Sequence, residues 1–408
     1  MNASSVVKEH LDDEQFRILN EIAAISAAFG TNCYLVGGAV RDVLKGQSSG
    51  DLDTMVEHRC SEIAYAVAEK LGGTVLKVTR FGTAALDIGA IQIDISTARR
   101  ETYEKSGALP KVFPGTIDQD LARRDFTINA MAISLSRDSF GDLIDHHDGM
   151  SDLENGVVRV LHNQSFQDDA TRILRAIRFA GREGYQLDEY TERLIRRDVR
   201  YLETVSGERI RHEIERIFLE PTSSAMLQVA NDLKVLQAIH PALGFDQSIV
   251  PPITCDLDDL NLIFYGLITR QVSPEDVEPI TTRLMLDSVR AAFVNDIVSI
   301  RAIVPSLRLS KFNSETYYLL EGLQPLALGA YATFTDDAEA VKRIRLYLDE
   351  LRCVRPSITG ESLLAEGVPE GPWIGQLLKS LLAARLDGDI SSYEEEVEFV
   401  RRTLWGGS

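Results

Sequence analysis

The chain has 408 residues, 44% hydrophobic and 26% charged, the make-up of an ordinary globular protein long enough for two to four domains. No run of about 18 apolar residues is present to span a bilayer, and the opening MNASSVVKEHLDDEQ lacks the basic and apolar regions of a signal peptide, so the expected compartment is the cytosol. A net charge of −19 repels phosphate backbones, so a nucleic-acid partner would have to be met by local basic patches, and the arginines do crowd residues 123 to 216.

In chain order, EQFRILNEIAAISAAFG carries Phe16, Leu19, Ile22, Ile25 and Phe29 at three-to-four spacing and ends at Gly30, which predicts a helix. The period then changes to two. Strands are expected at Cys33 to Val36 and Leu52 to Val56, with a short helix from Ala39 to Leu44 between them. A helix from Ser61 to Leu71 is stopped by Gly72 and Gly73, and strands follow at Thr74 to Val78, Thr83 to Ile88 and Ile91 to Ser96. The last two are joined by Gly89-Ala90, a two-residue link with glycine first. Residues 1 to 150 therefore read as an α/β domain with a small sheet. From about Leu153 helical periodicity runs to the end, broken at IVPPIT and VRPSITG. Cys33, Cys60, Cys255 and Cys353 lie far apart without a CxxC spacing, which predicts reduced and mostly buried thiols.

The segment GGAVRDVLKGQSSGDLDTMV combines several features that point to chemistry. Asp51 and Asp53 stand two apart at the mouth of a strand, so both side chains leave one face. In IQIDIS the isoleucines face one way and Gln92, Asp94 and Ser96 the other, so Asp94 can join them from a neighbouring strand. Two carboxylates about 6 Å apart repel by roughly 3 kcal/mol at an effective dielectric of about 20, a cost that a bound divalent cation reverses. Oxygen-only ligands favour Mg²⁺ or Mn²⁺, and a two-metal site would activate a hydroxyl and steady a leaving pyrophosphate. Gly37 and Gly38, between a strand and a helix, allow backbone N–H groups to approach a phosphate, and Arg41 projects from the first helical turn toward its oxygens.

Together GGAVRDVLKG and DLD resemble the signature of the class II tRNA nucleotidyltransferase and bacterial poly(A) polymerase family, in the polymerase-β superfamily. RRDFTINAMAI is similar to that family's ribose-contacting motif, DHHDGMSDLENGVVR to its head-to-neck connector, DDATRILRAIRFAGREGY to its nucleobase-reading motif and SGERIRHEIERI to its neck-helix motif. A fainter similarity to the tail of tRNA-maturing members covers residues 358 to 390. The resemblance implies an α+β fold: a nucleotidyltransferase head (1 to 150), a helical neck carrying the base-reading motif (151 to 220), and a helical body and tail that bind tRNA (221 to 408). It also implies addition of CMP and AMP from CTP and ATP to the 3′ end of tRNA, with Mg²⁺ as cofactor and neither DNA nor membrane as partner. Catalysis falls to Asp51, Asp53 and Asp94, with Asp51 and Asp53 as metal ligands. Gly37, Gly38 and Arg41 hold the triphosphate, while Arg124, Asp125 and Asn129 set the ribose.

Arg172, Arg175, Arg178 and Arg182 fall within about a 120° sector of a helix at 100° per residue. Asp169 offers only acceptors and Arg172 only donors, which fits a base edge with an amino group beside a ring acceptor. Cytosine and adenine present that edge; uracil and guanine do not. Arg175 and Arg178 are expected to hold the base stack and triphosphate. A-only or CC-only addition and poly(A) synthesis share the head motifs and stay open. The segment RRETYEKSGALPKVFPGT is similar to the flexible loop that CC-only members shorten, which disfavours that branch. A non-catalytic RNA-binding relative is opposed by the intact Asp51 and Asp53, and a small-molecule nucleotidyltransferase would need neither the helical half nor the Asp169 and Arg172 pair.

Overall fold

The computed structural model describes residues 2–48, 52–79, 82–248, 257–365 and 368–405. Asp51 and Cys255 lie outside the described residues. The chain divides into two compact units, Met1–Ile239 and His240–Ser408.

The first unit opens with α1 (Ser4–His10) and α2 (Asp13–Ala28), whose Asp12 closes a capping box with Gln15. Then come β1 (Cys33–Val36), α3 (Gly38–Leu44), β2 (Leu52–Val56), α4 (Cys60–Leu71), β3 (Thr74–Val78), β4 (Thr83–Ile88) and β5 (Ile91–Thr97). Each follows the periodicity of its residues within a position or two. The β4 to β5 turn places Ile88 opposite Ile91, with Gly89 at φ 67°, a conformation open to glycine at no steric cost.

Four strands are hidden from local pattern. The segment similar to a flexible loop forms an antiparallel pair, β6 (Arg99–Thr102) with β7 (Lys111–Pro114). After α5 (Ile117–Ala122), β8 (Met131–Ser134) is buried on both faces and so shows no alternation, and β9 (Leu143–Asp145) is three residues long. The sheet consequently has seven strands, in the order β3-β4-β5-β2-β1-β8-β9. All neighbours are antiparallel except β2 and β5, which run parallel. Beyond the head come α6 (Gly149–Glu154), β10 (Val157–Val158), α7 (Ser165–Asp168), α8 (Thr171–Glu183), β11 (Gln186–Leu187), α9 (Glu189–Asp198), α10 (Gly207–Phe218), α11 (Ser223–Asp232) and α12 (Val235–Ile239). A parallel pairing of β10 with β11 interrupts the helical run that residues beyond Leu153 suggest.

Packing decides which face of the sheet carries chemistry. Ala84, Leu86, Ile88, Ile93 and Ile95 are buried along β4 and β5, where α4 packs on the strands. The alternate residues leave the other face, where Gln92 and Asp94 are exposed. On that same face Met55 is sealed under Tyr34, Val36, Ile117 and Leu121, while Asp53, two residues earlier, is only partly buried. Cys33 and Cys60 are buried as expected, with burial pushing their thiols up to about 12 and about 11, whereas Cys353 is exposed.

The second unit is helical: α13 (Leu257–Thr269), α14 (Pro274–Arg283), α15 (Ser288–Leu309), α16 (Asn313–Leu320), α17 (Pro325–Phe334), α18 (Ala338–Asp349), α19 (Gly360–Ala365), α20 (Pro372–Asp387) and α21 (Tyr393–Trp405). No helix among the described residues is long and apolar enough to cross a membrane. Its C-terminal helices close over Leu363, Leu377, Leu381 and Val400. Beside that cluster the fully buried Glu396 pairs with Arg385 and accepts the backbone N–H groups of Ser357 and Ile358. Removing one partner of such a pair strands the other and three backbone hydrogen bonds, at about 3 to 5 kcal/mol. Glu396→Ala is therefore expected to lower the thermal midpoint by several degrees, and an unchanged melting curve would show that the pair contributes nothing.

Candidate active site

A cavity of about 710 Å³ opens in the first unit, a size suited to a nucleotide-sized ligand. Gly37, Gly38, Arg41, Asp53, Arg124, Asp125, Asn129, Asp169, Arg172 and Arg175 all line it. These positions are up to 138 residues apart in the chain (175 − 37), so only the fold assembles them.

Gly37 holds the corner between β1 and α3 at φ 70° and ψ −135°, a conformation that L side chains rarely adopt. A Cβ there would stand 3.3 Å from Arg124 Nη1 and 3.4 Å from Asp53 Oδ2, so the glycine keeps the backbone open beside a carboxylate and a guanidinium. Asp53 sits opposite Asp94 in the parallel register of β2 and β5, which puts both side chains on one face. Asp94 lines a smaller adjoining groove that shares Asp53 with the main cavity. The donors are oxygen only, as a hard cation requires. Among the described residues no group of three or more His, Cys, Asp and Glu is gathered to hold an ion.

Arg41 does not project freely as its sequence position suggests. It is 5% exposed, donates from Nη1 to Asn129 Oδ1 at 3.1 Å and from Nη2 to Asp42 Oδ1 at 2.9 Å, and approaches Glu183 of α8 at 3.8 Å. Asn129 also donates to Asp125 Oδ1 at 3.1 Å, and Asp125 is ion-paired with Arg175 of α8. Burial alone would raise the Asp125 carboxyl, but the charge and hydrogen bonds of Arg175 outweigh it and hold it below the usual carboxylate range.

The arginine stripe of α8 is thus not a uniform positive face. Arg178 does not line the cavity; it lies near Glu213 of α10 at 3.9 Å and Glu220 at 3.4 Å, and burial lowers its guanidinium. Glu213 and Glu220 lie more than 30 residues downstream, which is why the stripe looks unbalanced when read locally. Arg172 is different again. It is 6% exposed, donates from Nη2 to the Arg123 carbonyl at 2.6 Å and from Nη1 to Ser165 Oγ at 3.4 Å, and has no carboxylate within 4 Å among the described residues.

The cavity also contains residues to which no role is assigned above. Phe179 has the guanidinium carbons of Arg41, Arg175, Arg178 and Arg182 between 5.1 and 5.7 Å from its ring centroid. Tyr103, beyond β6, donates to Glu101 Oε2 at 2.9 Å; burial and the Glu101 charge raise its phenol. Arg209 of α10 reaches Asp169. The signal for Arg209 was its place in SGERIRHEIERI; for Tyr103 there was none without the strand pairing.

Residues 33–159 match the poly(A) polymerase head domain, and residues 184–245 match the probable RNA- and SrmB-binding site of polymerase A. The chain is 32% identical to the A-adding tRNA nucleotidyltransferase of Halalkalibacterium halodurans, over 98% of this chain and 95% of that protein. It is 30% identical to the A-adding tRNA nucleotidyltransferase of Geobacter sulfurreducens over 97% of its own length, but spans only about half (48%) of that longer relative. Among solved structures, the Thermotoga maritima CCA-adding enzyme complexed with tRNA superposes with a TM-score of 0.74 at 30% identity over 99% of both chains. With the head-domain match, the whole-length similarity and one cavity joining the glycine corner, the carboxylate strand and the arginine helix, the chain belongs to the tRNA nucleotidyltransferase and poly(A) polymerase family.

Proposed function

We propose that the protein transfers CMP and AMP from CTP and ATP to the 3′ end of tRNA, releasing pyrophosphate. The observation that carries this reading is the presence of Asp169 and Arg172 in the same cavity as Gly37, Gly38 and Asp53: a base-edge reader and a phosphate corner share one nucleotide-sized space. Mg²⁺, or Mn²⁺ in its place, would be held by Asp51 and Asp53 and would supply neutralisation of the triphosphate charge. Gly37 and Gly38 admit the triphosphate, with Arg41 and Arg124 as donors to its oxygens or to the ribose. Asp94 receives the proton of the terminal 3′ hydroxyl as that oxygen bonds to the α-phosphorus and the bond to the β-phosphate bridge breaks. Asp169 accepts from the amino group of C or A while Arg172 donates to the neighbouring ring acceptor. On this reading the head comprises residues 1 to 150, the neck 151 to 220 and the helical remainder 221 to 408, with tRNA engaged by the residues beyond the head, and the cytosol is the working compartment.

Addition of A alone is the second reading, favoured by the whole-length similarity to the Halalkalibacterium protein. Incubation with tRNAs ending at the discriminator base, at C and at CC, each with CTP, ATP or both, separates the readings. Growth of all three to CCA is the expected result. Extension restricted to the CC-ending tRNA with ATP would replace it with the A-only reading, and no extension of any would overturn both. Binding of tRNA is expected to weaken between about 50 and 200 mM salt, with a slope equivalent to several phosphates, since the contacts come from local arginines in a net acidic chain. Affinity that is flat over this range would refute the local-patch argument.

A further inference from the structure

Lys45 and Glu183 lie outside the cavity lining, whereas their neighbours Arg41, Asp42 and Arg182 belong to it. Lys45 caps the C-terminal end of α3, the helix that leaves the glycine corner, and Glu183 is the last residue of α8. The two meet across 138 residues of chain: Lys45 Nζ donates to Glu183 Oε2 at 2.8 Å and stands 5.2 Å from the centroid of the Tyr185 ring. The other carboxylate oxygen, Oε1, accepts from Arg182 Nε at 3.1 Å and Nη2 at 3.0 Å. Arg41 Nη2 is 3.8 Å from that same Oε1, beyond hydrogen-bond distance, and donates instead to Asp42 Oδ1 at 2.9 Å. Glu183 and Arg41 have side-chain exposures of only 11% and 6%, so water and salt screen them little. Burial alone would raise the Glu183 carboxyl, but the Lys45 hydrogen bond and the Arg41 charge outweigh it and hold it below the usual carboxylate range.

We propose that Lys45 is a positioning residue for the triphosphate: by occupying Oε2 it holds Glu183 off Arg41 and leaves that guanidinium available to phosphate oxygens. The inference rests on the reading of Arg41 as a donor to the triphosphate. Three cations, Arg41, Lys45 and Arg182, face two anions, Asp42 and Glu183, so the group carries one net positive charge. Without Lys45 that surplus is gone. Closing the gap from 3.8 Å to an ordinary hydrogen bond of about 2.9 Å would then put a second carboxylate on Arg41. Arg41 Nη1 is held by Asn129 Oδ1, and Asp42 accepts from Nε and Nη2. Nη2 carries a second hydrogen, for which Glu183 and a phosphate oxygen would compete. Taking Glu183 away together with Lys45 leaves two cations facing one anion, which restores the net positive charge and removes the competitor. A bridge that merely braced α3 against α8 would behave differently, because losing either partner or both would loosen it equally.

The test uses the full chain with Mg²⁺, measuring Kd for ATP and for CTP by equilibrium titration, and kcat and KM for ATP on a CC-ending tRNA. Lys45→Met is expected to raise Kd and KM by roughly tenfold for either nucleotide, as for one weakened charged contact, with kcat changed by no more than about twofold. Lys45→Arg, which keeps the cation, should bind as the wild type does. Lys45→Gln takes the place of the Met variant if that protein does not fold. Glu183→Gln should bind at least as tightly as wild type, and Lys45→Met combined with Glu183→Gln should recover the affinity that Lys45→Met loses. Equal weakening in Lys45→Met, Glu183→Gln and the double variant overturns the proposal in favour of a structural brace. Wild-type affinity in Lys45→Met beside weakened binding in Arg41→Met overturns it and leaves Arg41 as a triphosphate donor. Wild-type affinity in Arg41→Met overturns the donor reading and the inference together.

Discussion

Asp53→Asn is expected to reduce nucleotide addition on the order of a thousandfold while leaving the fold intact, because on the proposed reading the change removes a charged ligand of the metal ion without altering side-chain volume. Asp53 stands opposite Asp94 across β2 and β5, and like charges about 5 Å apart repel by about 3 kcal/mol at an effective dielectric near 20, less here because Asp94 is exposed. Neutralising one of them should leave the thermal midpoint unchanged or slightly raised. The measurement is single-turnover extension of labelled tRNA beside a melting curve. Turnover close to wild type would sink the catalytic assignment of β2, and a collapsed melting curve would mean that Asp53 supports the sheet instead.

The second large effect concerns which nucleotide is added. Asp169→Ala should let UTP and GTP compete, with the ratio of correct to incorrect incorporation falling roughly ten- to a hundredfold, the equivalent of about 1 to 3 kcal/mol for a buried group left unpaired. A carboxylate contributes nothing to binding a triphosphate, so the overall rate is a poor readout and the ratio a sharp one. Arg172→Ala should relax selection in the same direction and slow correct addition too. Arg172 is buried, and its loss also abandons the Arg123 carbonyl and the Ser165 hydroxyl, which predicts a lower melting temperature. If either variant loses rate for all four nucleotides in equal proportion, the pair binds phosphate rather than reading a base edge.

Local pattern carried much of the architecture. The helices α2 and α4 and the strands β1 to β5 follow from apolar spacing of three to four, from alternation, and from glycines at their ends, all of which act within a few residues. The likeness of Asp53 and Asp94 in facing the same way was likewise legible, because alternation in IQIDIS leaves the aspartate on the face that the isoleucines avoid. Long-range pairing set the rest. β8 is buried on both sides and so lacks alternation, and the β6 to β7 pair is stabilised by a register that neither segment announces alone. Ion pairing behaved the same way: Arg41 is drawn to Asp42, Asn129 and Glu183, Arg178 to Glu213 and Glu220, and Asp169 to Arg209. Which residue types are available for metal, phosphate and base follows from the amino-acid order alone, since charge and donor count belong to the side chain. Which of them face the cavity and which neutralise one another depends on the folded arrangement, because Coulomb attraction acts on distance in space and is indifferent to distance along the chain.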